Sequence, residues 1–295
     1  MSLIVRPMMR RSIILLCLCG ALFIAACGDA REDKDDGTIR VVTSMEIFAD
    51  MVRNVGGDRV TVEALLPSGA DVHTYELAPG KAADVARADI VFLNGLGFEE
   101  AIGDVVRGAA KGPVVELTAG LETIRGENPH LWLDVQLAAR YVERIRDELI
   151  RIDEDGRLAY EANAAGYLDQ LRQLDAEIEA GVETIPAANR RLVTFHDAYP
   201  YLAERYGLEI VAVVAPSPGQ EPSAQDIADL VDAIGGVPAV FKEPQFNAEV
   251  LELAAGDADV QVLELLSDAY VDGVDSYIDL MRFNLSQLLE GLRSE

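Results

Sequence analysis

The feature that most constrains the fold is a regular alternation of short apolar strands with helices, interrupted once by a long helical stretch. Short apolar runs bounded by turn residues are typical of buried parallel strands, and the amphipathic segments between them are typical of crossover helices. Four strands are predicted before the interruption and four after it, over 39–43, 60–66, 90–93, 114–117, 192–195, 210–214, 237–241 and 260–263.

The interruption, from residue 134 to residue 185, contains no proline and no strand pattern. Asp134 can cap a helix that runs to about residue 152. A second helix is predicted over 157–184, where apolar residues recur every third or fourth position, and it would be roughly 42 Å long. We therefore predict an α/β fold with two lobes, each with a roughly four-stranded parallel sheet flanked by helices, joined by one long backbone helix. The predicted boundaries are 39–152 for the N-terminal lobe, 153–186 for the linking helix and 187–295 for the C-terminal lobe.

The first 26 residues are typical of a signal peptide. Three arginines precede a mostly apolar run over 13–26, which is shorter than the roughly 20 residues of a membrane span. The run ends in Ile24-Ala25-Ala26-Cys27, which resembles the lipobox that precedes a lipidated cysteine in bacteria. Cys27 is therefore predicted to carry lipid, with 27–38 as a solvated tether and the lipid anchor as the only membrane attachment. An ordinary signal peptide with a chance cysteine is the alternative.

Cysteine use and charge exclude several classes of function. Cys17 and Cys19 lie inside the predicted signal peptide, so the mature domain has no thiol for a thiolate metal site, a disulfide or cysteine catalysis. The chain carries 25 basic and 51 acidic residues, which argues against binding nucleic acid or anionic lipid. The same acidity would concentrate cations, but it is equally compatible with a role in solubility alone.

The three histidines of the chain all stand close to the ends of predicted strands. His73 follows the second strand, His130 follows the fourth, and His196 ends the fifth. Ligands of open parallel sheets bind beyond the carboxyl ends of the strands, so these side chains could converge. Scattered surface histidines are the ordinary alternative, and none of the three has the spacing of a zincin helix or a zinc finger.

The segments around the histidines resemble a family of solute-binding proteins of ABC transporters that supply zinc or manganese, the cluster A-I or cluster 9 family. That family has D-P-H-x-Y-E, N/D-P-H-x-W-L-D and H-D-A-F/Y segments, each with a metal ligand. The corresponding segments here are DVHTYE at 71–76, NPHLWLD at 128–134 and HDAY at 196–199. The match continues with PSPGQEPS at 216–223, FKEPQFN at 241–247, LSD at 266–268 and DSYIDLMRFN at 275–284, so it covers residues 39–292.

The resemblance implies a metal site made by His73, His130, His196 and Asp268, with two ligands from each lobe. Three imidazoles and one carboxylate suit zinc, and four protein ligands close a tetrahedral site, as retention of an ion requires. Manganese members of the family often have Glu where this chain has His196, which favours Zn²⁺ over the alternative, Mn²⁺. Val72 and Val135 depart from the family pattern without removing a ligand, and the histidine-rich loop of many zinc importers is absent. If the register is wrong, the fourth ligand could instead be Glu264, Asp272 or Asp275.

Several other side chains flank the ligands. Asp134, Asp197 and Glu76 could orient the imidazoles, although a helix cap is the preferred interpretation of Asp134 and solvated charges are the alternative for the others. Trp132 and Tyr75 could shield the site from water. Glu221 and Glu243 lie in the matching segments and are interpreted as structural residues of loops.

The resemblance also implies an extracytoplasmic protein of the cell surface or periplasm, without catalysis, that passes its ion to an ABC transporter permease. A metallochaperone could load it, and a monomer is expected. One alternative is an extracytoplasmic zinc metalloenzyme, which would need an open coordination position and a general base such as Glu76 or Glu99. The other is a surface adhesin on the same fold, because fold does not fix function.

Overall fold

Two four-stranded parallel sheets form the framework of the structure, a computed structural model that describes residues 37–67, 69–124, 126–215 and 223–293. The strands are β1 Ile39–Thr43, β2 Val60–Ala64, β3 Ile90–Leu93, β4 Val114–Glu116, β5 Arg191–His196, β6 Glu209–Ala215, β7 Ala239–Lys242 and β8 Gln261–Glu264. The first sheet has the order β2-β1-β3-β4 and the second the matching order β6-β5-β7-β8. The predicted signal peptide, the lipid site at Cys27 and the tether up to residue 36 lie outside the described residues.

Nine helices accompany the strands in the described part of the chain. They are α1 Glu46–Gly56, α2 Pro79–Arg87, α3 Glu100–Ala109, α4 Val135–Ile152, α5 Arg157–Glu183, α6 Pro200–Tyr206, α7 Ala224–Ile234, α8 Glu249–Asp257 and α9 Tyr277–Leu292. The predicted α/β fold class, with its two lobes and its long helix α5, is confirmed. We call the part with the first sheet the N-terminal lobe and the part with the second sheet the C-terminal lobe.

Local sequence explains where the helical interruption begins. The Asp134 carboxylate accepts a hydrogen bond from the backbone N–H of Gln136 at 2.7 Å, which satisfies one free donor of the first turn of α4. This confirms that Asp134 caps the helix. The following α5 is 27 residues long, and its buried positions Leu171, Leu174 and Ile178 repeat at helical spacing.

The main hydrophobic core runs through both lobes. It joins the first sheet to α1, α4 and α5 and continues into α9, where Leu280 and Leu288 are buried. A smaller core lies in the C-terminal lobe between the second sheet and α7 and α8, around Leu230, Val240 and Leu251. Because this core contains buried residues of both lobes, the contact between them is a packed apolar interface. Each fully buried apolar side chain contributes about 1.5–3 kcal/mol to stability.

Residues Thr38–Glu295 form one compact unit. The lobe boundaries at 152–153 and 186–187 therefore stay a prediction. Within the described residues, no helix combines the length and apolar composition that crossing a bilayer requires.

Candidate metal site

The four side chains that the sequence singled out lie together at the carboxyl ends of the two sheets. His73 is in the loop after β2, His130 directly precedes a 3-10 turn over Leu131–Leu133, His196 is the last residue of β5, and Asp268 is in the loop after β8. One nitrogen or oxygen from each residue lies within 4.8 Å of those of the others. His130, His196 and Asp268 are buried, and His73 is half-buried.

The spacing of these atoms suits a single ion. The Nε2 atoms of His130 and His196 are 3.3 Å apart, and His130 Nε2 is 3.9 Å from Asp268 Oδ1. The ring of His73 completes the cluster, with its centroid 5.9 Å from that of His130 and 6.3 Å from that of His196. With metal–ligand bonds of about 2.0–2.2 Å, the ligand atoms of a tetrahedral zinc site are about 3.3–3.6 Å apart, so only small shifts would close this cluster around an ion.

Two acceptors hold the imidazoles in the orientation that a metal needs. His130 Nδ1 lies 3.0 Å from Asn128 Oδ1, and His196 Nδ1 lies 2.5 Å from Glu243 Oε2. An amide oxygen and a carboxylate can only accept, so Nδ1 carries the proton in both rings. The Nε2 lone pair of each neutral ring is then directed to the centre of the cluster, as in metal sites whose histidines are oriented by an outer carboxylate or carbonyl.

The other two side chains leave polar atoms buried without a partner. Among the described residues, His73 Nε2 and both carboxylate oxygens of Asp268 have no hydrogen-bond partner. A buried carboxylate without compensation costs several kcal/mol, so such groups pair or coordinate a metal. These unpartnered atoms, all at one point, are the feature that a bound cation would explain.

Burial and one neighbouring carboxylate shift the pKa values of the side chains in the site. Burial raises the pKa of Asp268 to about 7 and lowers the pKa of His73 to about 4. The pKa of His130 also falls well below its usual value, through burial and the neighbouring histidines. Burial lowers the pKa of His196 as well, but the adjacent Glu243 raises it more, to about 9. Without an ion, a protonated His196 could donate from Nε2 to His130, and a metal would displace that proton.

Aromatic rings surround the histidines and reduce their contact with water. Phe98 is fully buried and makes edge contacts with His73 and His130, at centroid distances of 5.2 Å and 5.6 Å. Trp132, which the sequence suggested as a wall of the site, packs 5.2 Å from His130. A poorly hydrated cavity strengthens the attraction between a cation and its ligands.

The structure also places the side chains predicted to flank the ligands. Asp134 is at the helix cap described above, and Glu76 is exposed. The backbone carbonyl of Asp197 accepts a hydrogen bond from Asn128. Sequence reasoning missed Asn128 as a partner of a ligand and interpreted Glu243 as a structural residue of its loop. Their only signal was position: Asn128 stands two residues before His130, and Glu243 lies in one of the segments that resemble the family.

Comparison with known proteins agrees with the fold and with the family that the sequence resembles. The family described as zinc-uptake complex component A, periplasmic, matches residues 41–291. The manganese-binding lipoprotein MntA of Halalkalibacterium halodurans is 34% identical over 285 residues, which cover 92% of this chain and 95% of the relative. The manganese ABC transporter substrate-binding lipoprotein PsaA of Streptococcus pneumoniae is 27% identical over 300 residues, which cover 92% of this chain and 97% of the relative.

Solved structures give the same result. The periplasmic zinc-binding protein TroA from Treponema pallidum superposes with a TM-score of 0.80 at 28% identity, covering 88% of this chain and 100% of that one. A crystal structure of ZnuA has a TM-score of 0.76 at 29% identity, covering 86% of this chain and 97% of that one. These matches confirm the resemblance found in the sequence. The chain belongs to the family of the periplasmic zinc-uptake component A.

Proposed function

We propose that this protein is an extracytoplasmic substrate-binding protein that captures one divalent transition-metal ion between its lobes and delivers it to an ABC importer. The observation that carries the proposal is the convergence of His73, His130, His196 and Asp268, whose ligand atoms lie within 4.8 Å of one another. The N-terminal lobe supplies the first two ligands and the C-terminal lobe supplies the other two. The ion is cargo, so it must be held firmly and then released.

Zinc is the cargo that the donor set favours. Three imidazole nitrogens and one carboxylate suit zinc, whereas manganese prefers sites dominated by oxygen. The relatives are divided: the MntA and PsaA proteins are named for manganese, and TroA is named for zinc. Mn²⁺ is therefore the alternative cargo, and the proposal of zinc rests on the chemistry of the four ligands.

Binding without catalysis is the second part of the proposal. Four protein ligands fill a tetrahedral site, whereas a hydrolytic zinc enzyme keeps one position for water. Glu99, a candidate general base, accepts hydrogen bonds from Ser44 Oγ at 2.7 Å and from the backbone N–H groups of Asn94 and Gly95 at 2.7 Å and 3.1 Å. Both of its oxygens are thus committed to the surrounding backbone and hydroxyl, and the other candidate, Glu76, is exposed.

Attachment to the membrane completes the proposed role. A lipid on Cys27 and a short acidic tether would keep the binding domain close to the permease, in the periplasm or at the cell surface. The MntA and PsaA relatives are named lipoproteins, which supports this assignment. Loading by a metallochaperone and a monomeric state remain expectations.

A competitive metal titration tests the proposal. The compact unit, residues 38–295, would be titrated with Zn²⁺ and Mn²⁺ by calorimetry, and its metal content measured by elemental analysis. Variants His73→Ala, His130→Ala and Asp268→Ala would be compared with the remote variant Asn163→Asp, in α5, where Asn163 Nδ2 donates to the backbone carbonyl of Val55. We expect one zinc per chain, weakened strongly in the three ligand variants and unchanged in the remote one. Manganese that resists competition by zinc would change the cargo, and no stoichiometric metal would refute the proposal.

A further inference from the structure

Two side chains that flank His130 reach across to the C-terminal lobe. Asn128, two residues before His130, donates from Nδ2 to the backbone carbonyl of Asp197 at 2.6 Å. Trp132, two residues after His130, donates from Nε1 to the backbone carbonyl of Ser267 at 2.9 Å. Asp197 directly follows the ligand His196, and Ser267 directly precedes the ligand Asp268. Each of these hydrogen bonds therefore ends one residue away from a ligand of the opposite lobe.

The orientation of the Asn128 amide follows from its partners. The backbone N–H of His130 can only donate, and it lies 3.1 Å from Asn128 Oδ1. Asn128 Nδ2 faces the carbonyl of Asp197, which can only accept. One amide group thus holds the ring of His130 through Nδ1 and the chain beside His196 through its other end. The backbone carbonyl of Asn128 also accepts from Tyr201 Oη of the C-terminal lobe at 2.7 Å.

Trp132 is equally well fixed. Its side chain is fully buried, with edge contacts to Phe48 at 5.4 Å and Phe98 at 5.0 Å between ring centroids. Its backbone carbonyl accepts from Tyr277 Oη at 2.7 Å. The indole N–H therefore meets the Ser267 carbonyl from a rigid position, and Ser267 in turn donates from Oγ to Glu243 at 2.6 Å.

We propose that Asn128 and Trp132 are positioning residues that set the distance between the ligand pairs of the two lobes, so that retention of the ion depends on these two hydrogen bonds. The inference rests on the proposed function. Binding sites need their ligating groups within about 0.5 Å of the productive geometry, and partners of the ligands commonly change metal affinity by about 10–100-fold. Loss of either bond would let His196 or Asp268 move away from His130 and would speed release of the ion.

Two substitutions remove one of these donors each. In Asn128→Asp, Oδ1 can still accept from His130, but an oxygen replaces the amino group that faces the Asp197 carbonyl. In Trp132→Phe, a buried aromatic ring is kept and the N–H is lost. Asn163→Asp is the matched control, because Asn163 Nδ2 also donates to a distant backbone carbonyl, that of Val55 at 3.1 Å. Val55 precedes β2, at the opposite end of the sheet from the site.

The measurement is the rate at which zinc leaves the preloaded mature protein when a chelator is added in excess. We expect both site variants to release zinc about 10–100-fold faster than the wild type, and the control to release it at the wild-type rate. Nitrogen NMR of the His130 ring should show the same tautomer in Asn128→Asp as in the wild type and a mixture in Asn128→Ala. That result would assign the faster release to the bond between the lobes rather than to a freely turning ring.

The outcomes separate this inference from the proposed function. A wild-type protein that holds neither zinc nor manganese would overturn both. A wild-type protein that holds zinc, with both site variants releasing it at the wild-type rate, would overturn only the positioning role. Equal acceleration in the control would also overturn it, because the effect would then follow from general destabilisation. Since the two bonds are separate, either variant alone gives a decision if the other does not fold.

Discussion

At the scale of single residues, Glu243 contacts His196 at two points. Its Oε2 accepts from His196 Nδ1 at 2.5 Å and from the backbone N–H of the same residue at 3.3 Å. Its Oε1 accepts from Ser267 Oγ, next to the ligand Asp268. A single carboxylate thus orients one candidate ligand and contacts the loop of another, and its charge raises the pKa of His196 to about 9 against the opposing effect of burial.

We expect Glu243→Gln to weaken zinc binding by about 10–100-fold, because the imidazole loses the carboxylate that orients it and makes it more basic. The pKa of His196 should fall, so binding of the ion should release fewer protons at neutral pH. Calorimetry in buffers of different ionisation enthalpy measures that number. Asn163→Asp is again the control variant. The nearer Gln245 is unsuitable as a control position, because it hydrogen-bonds to Ser267. Unchanged proton release would contradict the role given to Glu243.

Metal affinity should rise with pH. Without an ion, His196 holds its second proton below about pH 9, and Asp268 holds a proton below about pH 7. Both protons must leave before the ion can bind, so the apparent affinity should increase as the pH passes through about 7 and level off above about 9. His73, with a pKa of about 4, should add a further loss only in acid. Competition titrations across this range would check the slope, and a flat profile would contradict it.

The four side chains that converge at the candidate metal site could be singled out from sequence, but the groups that hydrogen-bond to them could not. Each predicted ligand sits in a short segment with a recognisable pattern. The contact between His196 and Glu243 joins residues 47 positions apart, and that between Trp132 and Ser267 joins residues 135 positions apart. Such pairs depend on how two loops meet in space, and neither loop has a local pattern that reports the other.

At the scale of helices and strands, local patterns predicted nearly all of the secondary structure. The boundaries were accurate where a helix cap fixed them, as at Asp134. The predicted extension of β2 to residue 66 ends earlier as a regular strand, at Ala64, but Leu65 and Leu66 still donate to the backbone carbonyls of Thr43 and Ser44 at 2.9 Å and 3.0 Å. Pairing thus persists beyond the regular strand, until the chain reaches Pro67.

Two helical glycines should respond oppositely to replacement by alanine. Gly166 of α5 is exposed, and a Cβ there would meet no atom within 4 Å. Gly166→Ala should therefore stabilise the protein by up to about 1 kcal/mol, the usual difference in helix propensity. At Gly291 of α9 a Cβ would lie 2.7 Å from Ala239 Cβ, so Gly291→Ala must push the helix away from the second sheet. Overpacking of this kind costs about 1–3 kcal/mol.

Chemical denaturation of both variants measures the two effects. The exposed variant serves as the control for the packed one, because both make the same chemical change inside a helix. A stabilised Gly291→Ala would contradict the close approach of α9 to the sheet, and a destabilised Gly166→Ala would contradict the open space beside that position of α5.

At the scale of the whole molecule, the continuous core couples the two lobes. The long helix α5 buries Leu174 in a core that also includes residues of α1 and α9. Because the two lobes are already packed together, a metal ion bound between them would need little rearrangement of the protein. We therefore expect loss of the ion to produce small tilts and looser loops rather than a wide opening. Hydrogen exchange that differs between apo and loaded protein only in the four ligand loops would agree with this.

Unfolding should follow a single transition that involves both lobes. Leu174→Ala, in the shared core, should lower stability by about 2–5 kcal/mol and shift that one transition without splitting it. Zinc at 1,000 times its dissociation constant should raise stability by about 4.1 kcal/mol and shift the same transition upward. Calorimetric scans with and without zinc would check both results. Two separate transitions, only one of them sensitive to zinc, would mean that the lobes unfold independently.

The candidate ligands are spread along the chain from residue 73 to residue 268, and this spread has a consequence for where the proposed metal ion would be bound. A site assembled from such distant segments does not exist in an unfolded chain. If the signal peptide directs the chain through the membrane before it folds, the chain cannot carry a metal ion out of the cell. The first ion that can occupy the folded site is then one that is already outside the cell. The compartment in which the protein folds would therefore contribute to which metal ion is bound.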